Sequence, residues 1–175
     1  TEREEGFAVF VVDNTNRTEA RYWIDDFLRV RQRQDNYHNT HNTLAMCKKY
    51  VTKHLSKEFE VSKADQAELL NETMKYFQEQ ESFSMDDFSE KVIRQPEVVE
   101  SFTRFRQEYE QDRDIRIEDE FGISDSAVKK QARSYKSVIK LDRNFHIYVH
   151  GNRGLLEQGE DEKGKFYKVY YEEEE

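Results

Sequence analysis

The chain has 175 residues, 37% of them charged and 35% hydrophobic, and its formal net charge is −9. This acidity excludes a protein that coats DNA by its overall charge, so any contact with nucleic acid must come from a local basic surface. The 12 phenylalanines, the 10 tyrosines and the single proline argue against disorder, because disordered chains are poor in aromatic residues. No stretch approaches the ~20 apolar residues of a membrane-spanning helix, and no signal peptide is visible.

The N-terminal part predicts one strand followed by a helix. Residues 7–12 (FAVFVV) are apolar on both faces, which is typical of a central strand in a buried sheet. Because the neighbours of this strand are not evident, we expect a further part of the protein to precede the first residue. Residues 17–33 predict a helix. Arg29, Arg31 and Arg33 form a small basic cluster on it, which is either a solvated face or a weaker DNA-contacting patch.

The next stretch predicts a polar loop and a helix. Residues 36–42 (NYHNTHN) have the composition of a turn, and His38 and His41 are interpreted as ordinary loop histidines because no further metal ligand lies at suitable spacing. A helix over residues 43–56 follows and directs four side chains inward, those of Leu44, Cys47, Val51 and Leu55. This cysteine is therefore predicted to be a small core residue and not a nucleophile.

Three short helices are predicted in the middle of the chain. The first begins after Ser62, which with Asp65 is typical of a helix N-cap with an acidic first turn, and it extends to about residue 80. The residues predicted on its buried face are Ala67, Leu70, Met74 and Phe77. The second starts behind Ser84, and the third has Pro96 in its first turn. The third is rich in carboxylates and would be a poor DNA-recognition helix. We interpret all three as scaffold.

Residues 124–151 form the only long segment in which basic residues dominate. The first half predicts a short amphipathic helix, with Val128, Ala132 and Tyr135 at helical spacing on its apolar face. The second half predicts a β-hairpin, because two apolar runs flank the turn residues 142–144. The cations expected to contact DNA phosphates are Lys129, Lys130, Arg133, Lys136, Lys140 and Arg143.

The second strand of this hairpin alternates between two faces. Phe145, Ile147 and Val149 point to the face that can build core. His146 and Tyr148 point to the other face, which is cationic and aromatic and available to a partner. Aromatic side chains on such a face could stack on the exposed bases of a single strand. They could equally be covered by another part of the protein.

The C-terminal part predicts a short strand at Leu155 and Leu156, a polar turn over residues 159–164 and a strand over residues 166–171. The fold class is therefore α+β: mostly helical N-terminal and middle parts with one N-terminal strand, then a C-terminal antiparallel β-meander preceded by a basic helix. The expected domains are residues 1–58 (the end of an N-terminal domain), residues 59–120 (a helical subdomain) and residues 121–175 (the basic helix and the meander).

No motif for catalysis or cofactor binding is present. The 6 glycines show neither GxGxxG nor GxxxxGK spacing, and neither GxSxG nor HExxH occurs. A single cysteine excludes an internal disulfide and a cysteine-based zinc site. We predict a protein without catalytic residues, cofactor or metal. The alternative is a nucleic-acid enzyme whose active site is completed by a part that precedes this sequence.

Ordered segments along nearly the whole chain resemble one bacterial family. The segments GFAVFVVDN, FEVSKADQAELLN, FGISDSAVKKQARSYKSVIKLDRNFHIYVHGNR and LLEQGEDEKGKFYKVYYEE are similar to nucleoid-associated proteins of the NdpA type, most strongly to the Bacteroidetes branch. The resemblance implies a cytoplasmic protein that associates with the nucleoid and binds DNA, in a family with longer chains and no known catalytic residues or cofactor. It carries over no DNA-contacting residues, so the candidates rest on charge and periodicity.

Together these features predict a nucleoid-associated, non-catalytic protein with largely sequence-independent phosphate contacts. The alternative is an interaction module that reaches the nucleoid through a protein partner, or whose aromatic face docks the N-terminal half of its own chain. A homo-oligomer is compatible with the sequence, and no membrane partner is expected. The candidate DNA-binding residues are the six cations of residues 124–151, the neighbouring His146 and Tyr148, and the weaker patch of Arg29, Arg31 and Arg33.

Overall fold

The structure is a computed structural model that describes residues 34–135, 138–149 and 153–173. The chain divides after Gln34 into two units, and all elements below belong to the second. The predicted strand over residues 7–12 and the predicted helix over residues 17–33 lie outside the described residues.

The first helix, α1 (Asn36–Lys49), occupies the stretch for which the sequence predicts a polar loop, and that prediction is wrong. Asp35 is its N-cap, and its carboxylate accepts a hydrogen bond from the backbone N–H of His38 at 3.0 Å. The same carboxylate lies 2.8 Å from the imidazole Nδ1 of His38. Thr40 donates back to the carbonyl of Asn36 at 2.6 Å. These local hydrogen bonds allow polar residues of low helix propensity to enter a helix.

A π-helical turn (Tyr50–His54) and the short helix α2 (Leu55–Glu58) follow α1. Cys47, Val51 and Leu55 are buried along this run, as predicted. Burial raises the pKa of the Cys47 thiol well above its ordinary value, which keeps the thiolate, the reactive form, at a negligible population. The prediction that Cys47 is a core residue is confirmed.

The helix α3 (Lys63–Glu79) begins at the N-cap that the sequence predicts. The Ser62 hydroxyl accepts from the Asp65 N–H at 3.1 Å, and the Asp65 carboxylate accepts from the Ser62 N–H at 2.9 Å. This reciprocal capping box satisfies two backbone donors that the first turn would otherwise leave without partners. The predicted apolar face of α3 is buried: Ala67, Leu70, Met74 and Phe77.

The two helices predicted after α3 are present as α4 (Met85–Phe88), which continues into a π-helical turn (Ser89–Ile93), and α5 (Pro96–Arg113). Pro96 occupies the first turn of α5, where its missing N–H costs nothing. Ser84 is the N-cap residue of α4, as the sequence predicts, but its side chain forms no capping hydrogen bond.

A small sheet that the sequence does not indicate closes the helical part. β1 (Ser82–Ser84) pairs antiparallel with β2 (Glu120–Gly122). Phe83 stands opposite Phe121, with their ring centroids 4.8 Å apart, and also stacks on Phe77. All three rings belong to the main core. Each such buried ring stabilises the fold by about 1.5–3 kcal/mol relative to an exposed one.

The C-terminal part consists of one helix and two hairpins. The predicted basic helix is α6 (Asp125–Ala132), and the predicted hairpin is formed by β3 (Val138–Leu141) and β4 (Phe145–Tyr148). A second antiparallel hairpin is formed by β5 (Leu156–Asp161) and β6 (Gly164–Val169). The α+β fold class with C-terminal antiparallel strands is confirmed. Within the described residues the strands of this part form two separate two-stranded sheets, which replace the single continuous meander expected.

The turn predicted over residues 159–164 is shorter than expected, because β5 continues to Asp161. Gly159 stays in the strand opposite Phe166. A Cβ atom added to Gly159 would lie 2.5 Å from Cζ of Phe166, so the ring fills the space that the glycine leaves. An aromatic ring laid across a strand glycine compensates for its missing side chain and fixes the register of the pair.

A small second core holds both hairpins. Its buried members come from three elements: Ala64 from α3, Ile139 from β3 and Leu156 from β5. Ile139 stands directly opposite Ile147. The partly buried residues that surround the cluster are Leu141, Ile147, Val149 and Tyr167. One face of each hairpin therefore packs on the first turn of α3, and the other face is directed to solvent.

Candidate nucleic-acid interface

The basic helix α6 is fixed against the first turns of α1. The Ser124 backbone N–H donates to Oγ1 of Thr40 at 3.0 Å. At the other end of α6, Nε2 of Gln131 lies 2.9 Å from Nδ1 of His41. Val128 is buried on the core-facing side, as its spacing predicts. The side of α6 that faces away from α1 is left for solvent or for a partner.

The chain that leaves α6 is held by Tyr135, which lies beyond the helix end rather than within the helix as predicted. The Tyr135 hydroxyl donates a hydrogen bond to the carbonyl of Leu44 in α1. Burial raises the pKa of Tyr135 well above its ordinary value of 10.0. The hydroxyl therefore remains a donor over the whole physiological pH range. This anchor fixes the orientation of the cations that precede it.

Lys129, Lys130 and Arg133 are exposed on α6 and at its C-cap. Nζ of Lys130 donates to the hydroxyl of Tyr37 at 3.3 Å and lies 6.0 Å from the centroid of that ring. Lys129 and Arg133 form no ion pair with any residue that the structure describes. Tyr37 could not be identified from the sequence as a neighbour of Lys130, because a contact between positions 93 residues apart leaves no local pattern.

The outer face of the β3–β4 hairpin carries the second group of candidates. Lys140 stands opposite His146, and Val138 stands opposite Tyr148. Residues opposite each other in an antiparallel pair project to the same side of the sheet. Lys140, His146 and Tyr148 therefore share one face, and all three are exposed. The alternation expected for His146 and Tyr148 is present.

Arg143 lies at the tip of this hairpin, in the turn between β3 and β4. Asp142 before it adopts a φ of 51°, in the left-handed region that Asp and Asn tolerate better than most residues. Arg143 is exposed and forms no ion pair with a described residue. The tip thus presents a cation next to the single carboxylate of the hairpin, that of Asp142.

Phe145 departs from the prediction that it faces the core. Its side chain is 67% exposed, although Leu141 opposite it and Ile147 on the same face pack against the second core. Strand alternation fixes the face to which a side chain points. It does not fix how far the core extends beneath that face, and here the core ends before the hairpin tip.

Carboxylates hold many basic side chains in the rest of the described chain. These ion pairs are Lys91–Asp87 at 2.8 Å, Arg94–Glu72 at 3.4 Å, Arg104–Glu58 at 3.0 Å, Arg106–Asp119 at 2.6 Å and Lys168–Glu157 at 3.0 Å. Lys129, Arg133, Lys140 and Arg143 have no carboxylate partner among the described residues, a property that they share with exposed lysines elsewhere, such as Lys53, Lys57, Lys163 and Lys165. An exposed cation without an internal partner can pair with an external anion without first breaking an ion pair.

The other candidates cannot be placed in this surface. Lys136, Arg29, Arg31 and Arg33 lie outside the described residues. Over the described ranges, no group of three His, Cys, Asp or Glu side chains is arranged to hold a metal ion. Likewise, none of the helices in that part of the chain is long and apolar enough to cross a membrane.

The fold and this surface define an α+β protein, acidic as a whole, with a cationic helix and hairpin at one end of its sequence. Residues 1–174 match the family described as nucleoid-associated protein YejK. The chain therefore belongs to this family of nucleoid-associated proteins, and the resemblance seen in the sequence is confirmed. The Bacteroidetes branch stays a prediction. Neither the curated proteins nor the solved structures contain a significant match to the chain.

Proposed function

We propose that this nucleoid-associated protein is a non-catalytic, cytoplasmic DNA-binding protein that contacts phosphates largely independently of sequence. The observation that carries the proposal is the concentration of exposed cations on α6 and the β3–β4 hairpin, where Lys129, Arg133, Lys140 and Arg143 have no carboxylate partner among the described residues. The proposed contacts are Lys129, Lys130, Arg133, Lys136, Lys140 and Arg143, with His146 and Tyr148 beside them and Arg29, Arg31 and Arg33 as a weaker patch.

Charge supports a local mode of binding. The segment of residues 124–151 contains six Lys or Arg residues and two acidic ones, whereas the whole chain has a net charge of −9. Phosphates bound by cations release condensed counterions, which makes such binding favourable and strongly dependent on salt. The acidic remainder repels DNA, so we expect moderate affinity and a definite orientation with α6 and the hairpin toward the duplex.

The length and chemistry of α6 support sequence independence. The helix has 8 residues, and its exposed side chains include Lys129 and Lys130. Lysine contacts to phosphates position a protein on DNA without reading bases, whereas base reading needs bidentate contacts in a groove. Neither residue has the planar, forked donor group of an arginine.

The experiment is fluorescence-anisotropy titration of labelled duplex DNA across a salt series. The test variant combines Lys129→Glu, Arg133→Glu, Lys140→Glu and Arg143→Glu. The control has the same net charge but places its reversals at exposed lysines elsewhere: Lys53→Glu, Lys57→Glu, Lys163→Glu and Lys165→Glu. We expect the test variant to lose binding and the control to weaken only slightly, with the salt slope falling by about 0.9 for each phosphate contact removed.

Two outcomes contradict the proposal. Equal weakening of both variants would mean that overall charge, and not this surface, controls the affinity. If the unaltered chain does not bind DNA even at low salt, this chain does not contact DNA directly.

A second candidate function is protein docking on the β5–β6 hairpin, favoured by the apolar side chains exposed there. These residues are Leu155, Phe166, Val169, Tyr170 and Tyr171. Under this alternative the chain reaches the nucleoid through a protein partner. Co-sedimentation with isolated nucleoids separates the two functions: attachment through phosphates is lost as salt rises, whereas apolar docking persists and requires Val169 and Tyr171.

A further inference from the structure

Phe145 is the most exposed phenylalanine in the described part of the chain, with 67% of its side chain accessible. Most of the others are buried in the main core. Phe166, also on a hairpin, is 37% exposed and lies over Gly159. No comparable contact is made by Phe145: within the described residues no aromatic ring stacks on it and no cation lies over it. Its ring is available to an external partner.

Phe145 lies at the narrow tip of a hairpin that carries cations. Arg143 is two residues before it in the turn, next to Asp142, while Lys140 and His146 project from the opposite face of the two strands. The two strands of a hairpin lie only about 4.8 Å apart, so the tip is a thin ribbon that can approach nucleic acid closely. An exposed apolar ring at a hairpin tip that also carries an unpaired arginine suits a ligand that combines flat apolar surfaces with negative charge.

We propose that Phe145 is a base-stacking residue, whose ring lies on a nucleobase of single-stranded or locally unpaired DNA while Arg143, in the turn beside it, holds an adjacent phosphate. This inference rests on the proposed function and specifies the form of DNA that the site prefers. In an intact duplex the faces of the bases are covered by their neighbours, so the ring gains little there. Every base offers an aromatic face, which makes stacking tolerant of sequence.

The β5–β6 hairpin offers a matched control residue for Phe145. Tyr171, just beyond β6, is 70% exposed, similar to Phe145, but the residues that follow it are Glu172 and Glu173. Exposure of an aromatic ring is thus nearly equal at the two sites, and the sign of the neighbouring charge differs. A stacking role that depends on a neighbouring cation predicts an effect at Phe145 and none at Tyr171.

The test compares three labelled DNAs of the same sequence: a duplex, the same duplex with a short unpaired bubble, and the single strand. The proteins are the unaltered chain, Phe145→Leu, Phe145→Trp and Tyr171→Leu. We expect the unaltered chain to prefer the bubble and the single strand. Phe145→Leu should lose about tenfold in affinity for these two and little for the duplex, since stacking on one base accounts for an effect of this size. Phe145→Trp should retain the preference, and Tyr171→Leu should change nothing.

Equal affinity for all three DNAs, or equal losses in Phe145→Leu and Tyr171→Leu, would overturn the inference. The phosphate contacts would stand in that case, provided that the charge-reversal variant still abolishes binding. Failure of the unaltered chain to bind any of the DNAs at low salt would overturn the proposed function together with the inference. Because Phe145 is exposed, substitution there should leave the thermal melting curve unchanged, which separates loss of stacking from loss of folding.

Discussion

The two C-terminal hairpins have the same architecture, but their lysines have different cross-strand partners. Each is a two-stranded antiparallel sheet that packs one face on the core around Ala64, and each exposes aromatic side chains. In the β5–β6 hairpin the cation Lys168 is paired across the strands with Glu157 at 3.0 Å. In the β3–β4 hairpin the equivalent cross-strand pair joins Lys140 to His146, which leaves the lysine without a carboxylate in the described part of the chain.

This difference shows that the architecture of a hairpin does not determine what it can bind. An internal ion pair neutralises its own cation and must be broken before an external anion can bind. Lys140 has no carboxylate partner in the described part of the chain, so an external phosphate could bind it without displacing one. The difference supports the proposal of polyanion contact at β3–β4 and of apolar partners at β5–β6, and four substitutions test it.

The largest effect should come from the core that the hairpins share. Ile139→Ala removes the buried side chain that β3 contributes beside Leu156, and we expect it to lower the free energy of unfolding by about 2–4 kcal/mol. Because both hairpins pack on this cluster, hydrogen exchange should accelerate in β5 and β6 as well as in β3. Chemical denaturation and exchange measurements check both points. Acceleration restricted to β3 and β4 would show that the hairpins are held independently.

The next effect concerns the β5–β6 hairpin alone. Gly159→Ala places a methyl group 2.5 Å from the present position of Cζ of Phe166 and should force the ring away, at a cost of about 1 kcal/mol in stability. DNA affinity should not change. In the unaltered chain the α protons of Gly159 should resonate upfield because of the ring current of Phe166, and Phe166→Leu should abolish this shift. An unshifted Gly159 signal would contradict the packing described.

A smaller effect should follow when the tip of the β3–β4 hairpin is made more positive. Asp142→Asn keeps a residue that tolerates the φ of 51° but removes the carboxylate next to Arg143. We expect DNA affinity to rise about two- to fivefold, as appropriate for one exposed charge. The salt dependence should remain steep. Anisotropy titration measures this, with Asp161→Asn in the other hairpin as the control that should have no such effect.

The smallest effect is the titration of Glu157. Hydrogen bonds from Tyr170 and then from Lys168 hold the pKa of Glu157 below its ordinary value of 4.5. A lowered folded-state pKa means that this contribution to stability is present above the ordinary value and is lost as pH falls through the folded pKa. An NMR titration should give a midpoint below 4.5, and Tyr170→Phe should move it upward. A midpoint unaffected by Tyr170→Phe would show that the hydrogen bond has no such effect.

The fold could be predicted from the sequence wherever the signal was local. The Ser62 cap, the apolar face of α3 and the hairpin around residues 142–144 follow from spacing alone, and all are present. Long-range partners were not predictable. β1 and β2 are short strands whose pairing depends on the stacked rings of Phe83 and Phe121, far apart in sequence. The polar first turns of α1 are stabilised by the N-cap Asp35 and by the hydrogen bond between Ser124, at the start of α6, and Thr40 of α1.

The residues of the candidate site could be predicted from the sequence, but their arrangement in space could not. Periodicity correctly grouped His146 with Tyr148 on the exposed face of β4. It failed at Phe145, because the second core does not reach the hairpin tip and the alternation of a strand does not indicate how far the core extends. It also gave no indication that Lys130 would meet Tyr37 or that Tyr135 would be anchored on Leu44. Such contacts depend on how elements pack, which single-sequence patterns do not encode.

The burial of the only cysteine has a practical consequence. Cys47 lies in the main core, and its thiol will not react readily with maleimides or other alkylating reagents in the native state. A cysteine introduced at Asn144, in the exposed turn of the β3–β4 hairpin, would then be the single labelling position. Fluorophores, spin labels or photo-crosslinkers can thus be placed beside the proposed DNA contact without first removing a native thiol.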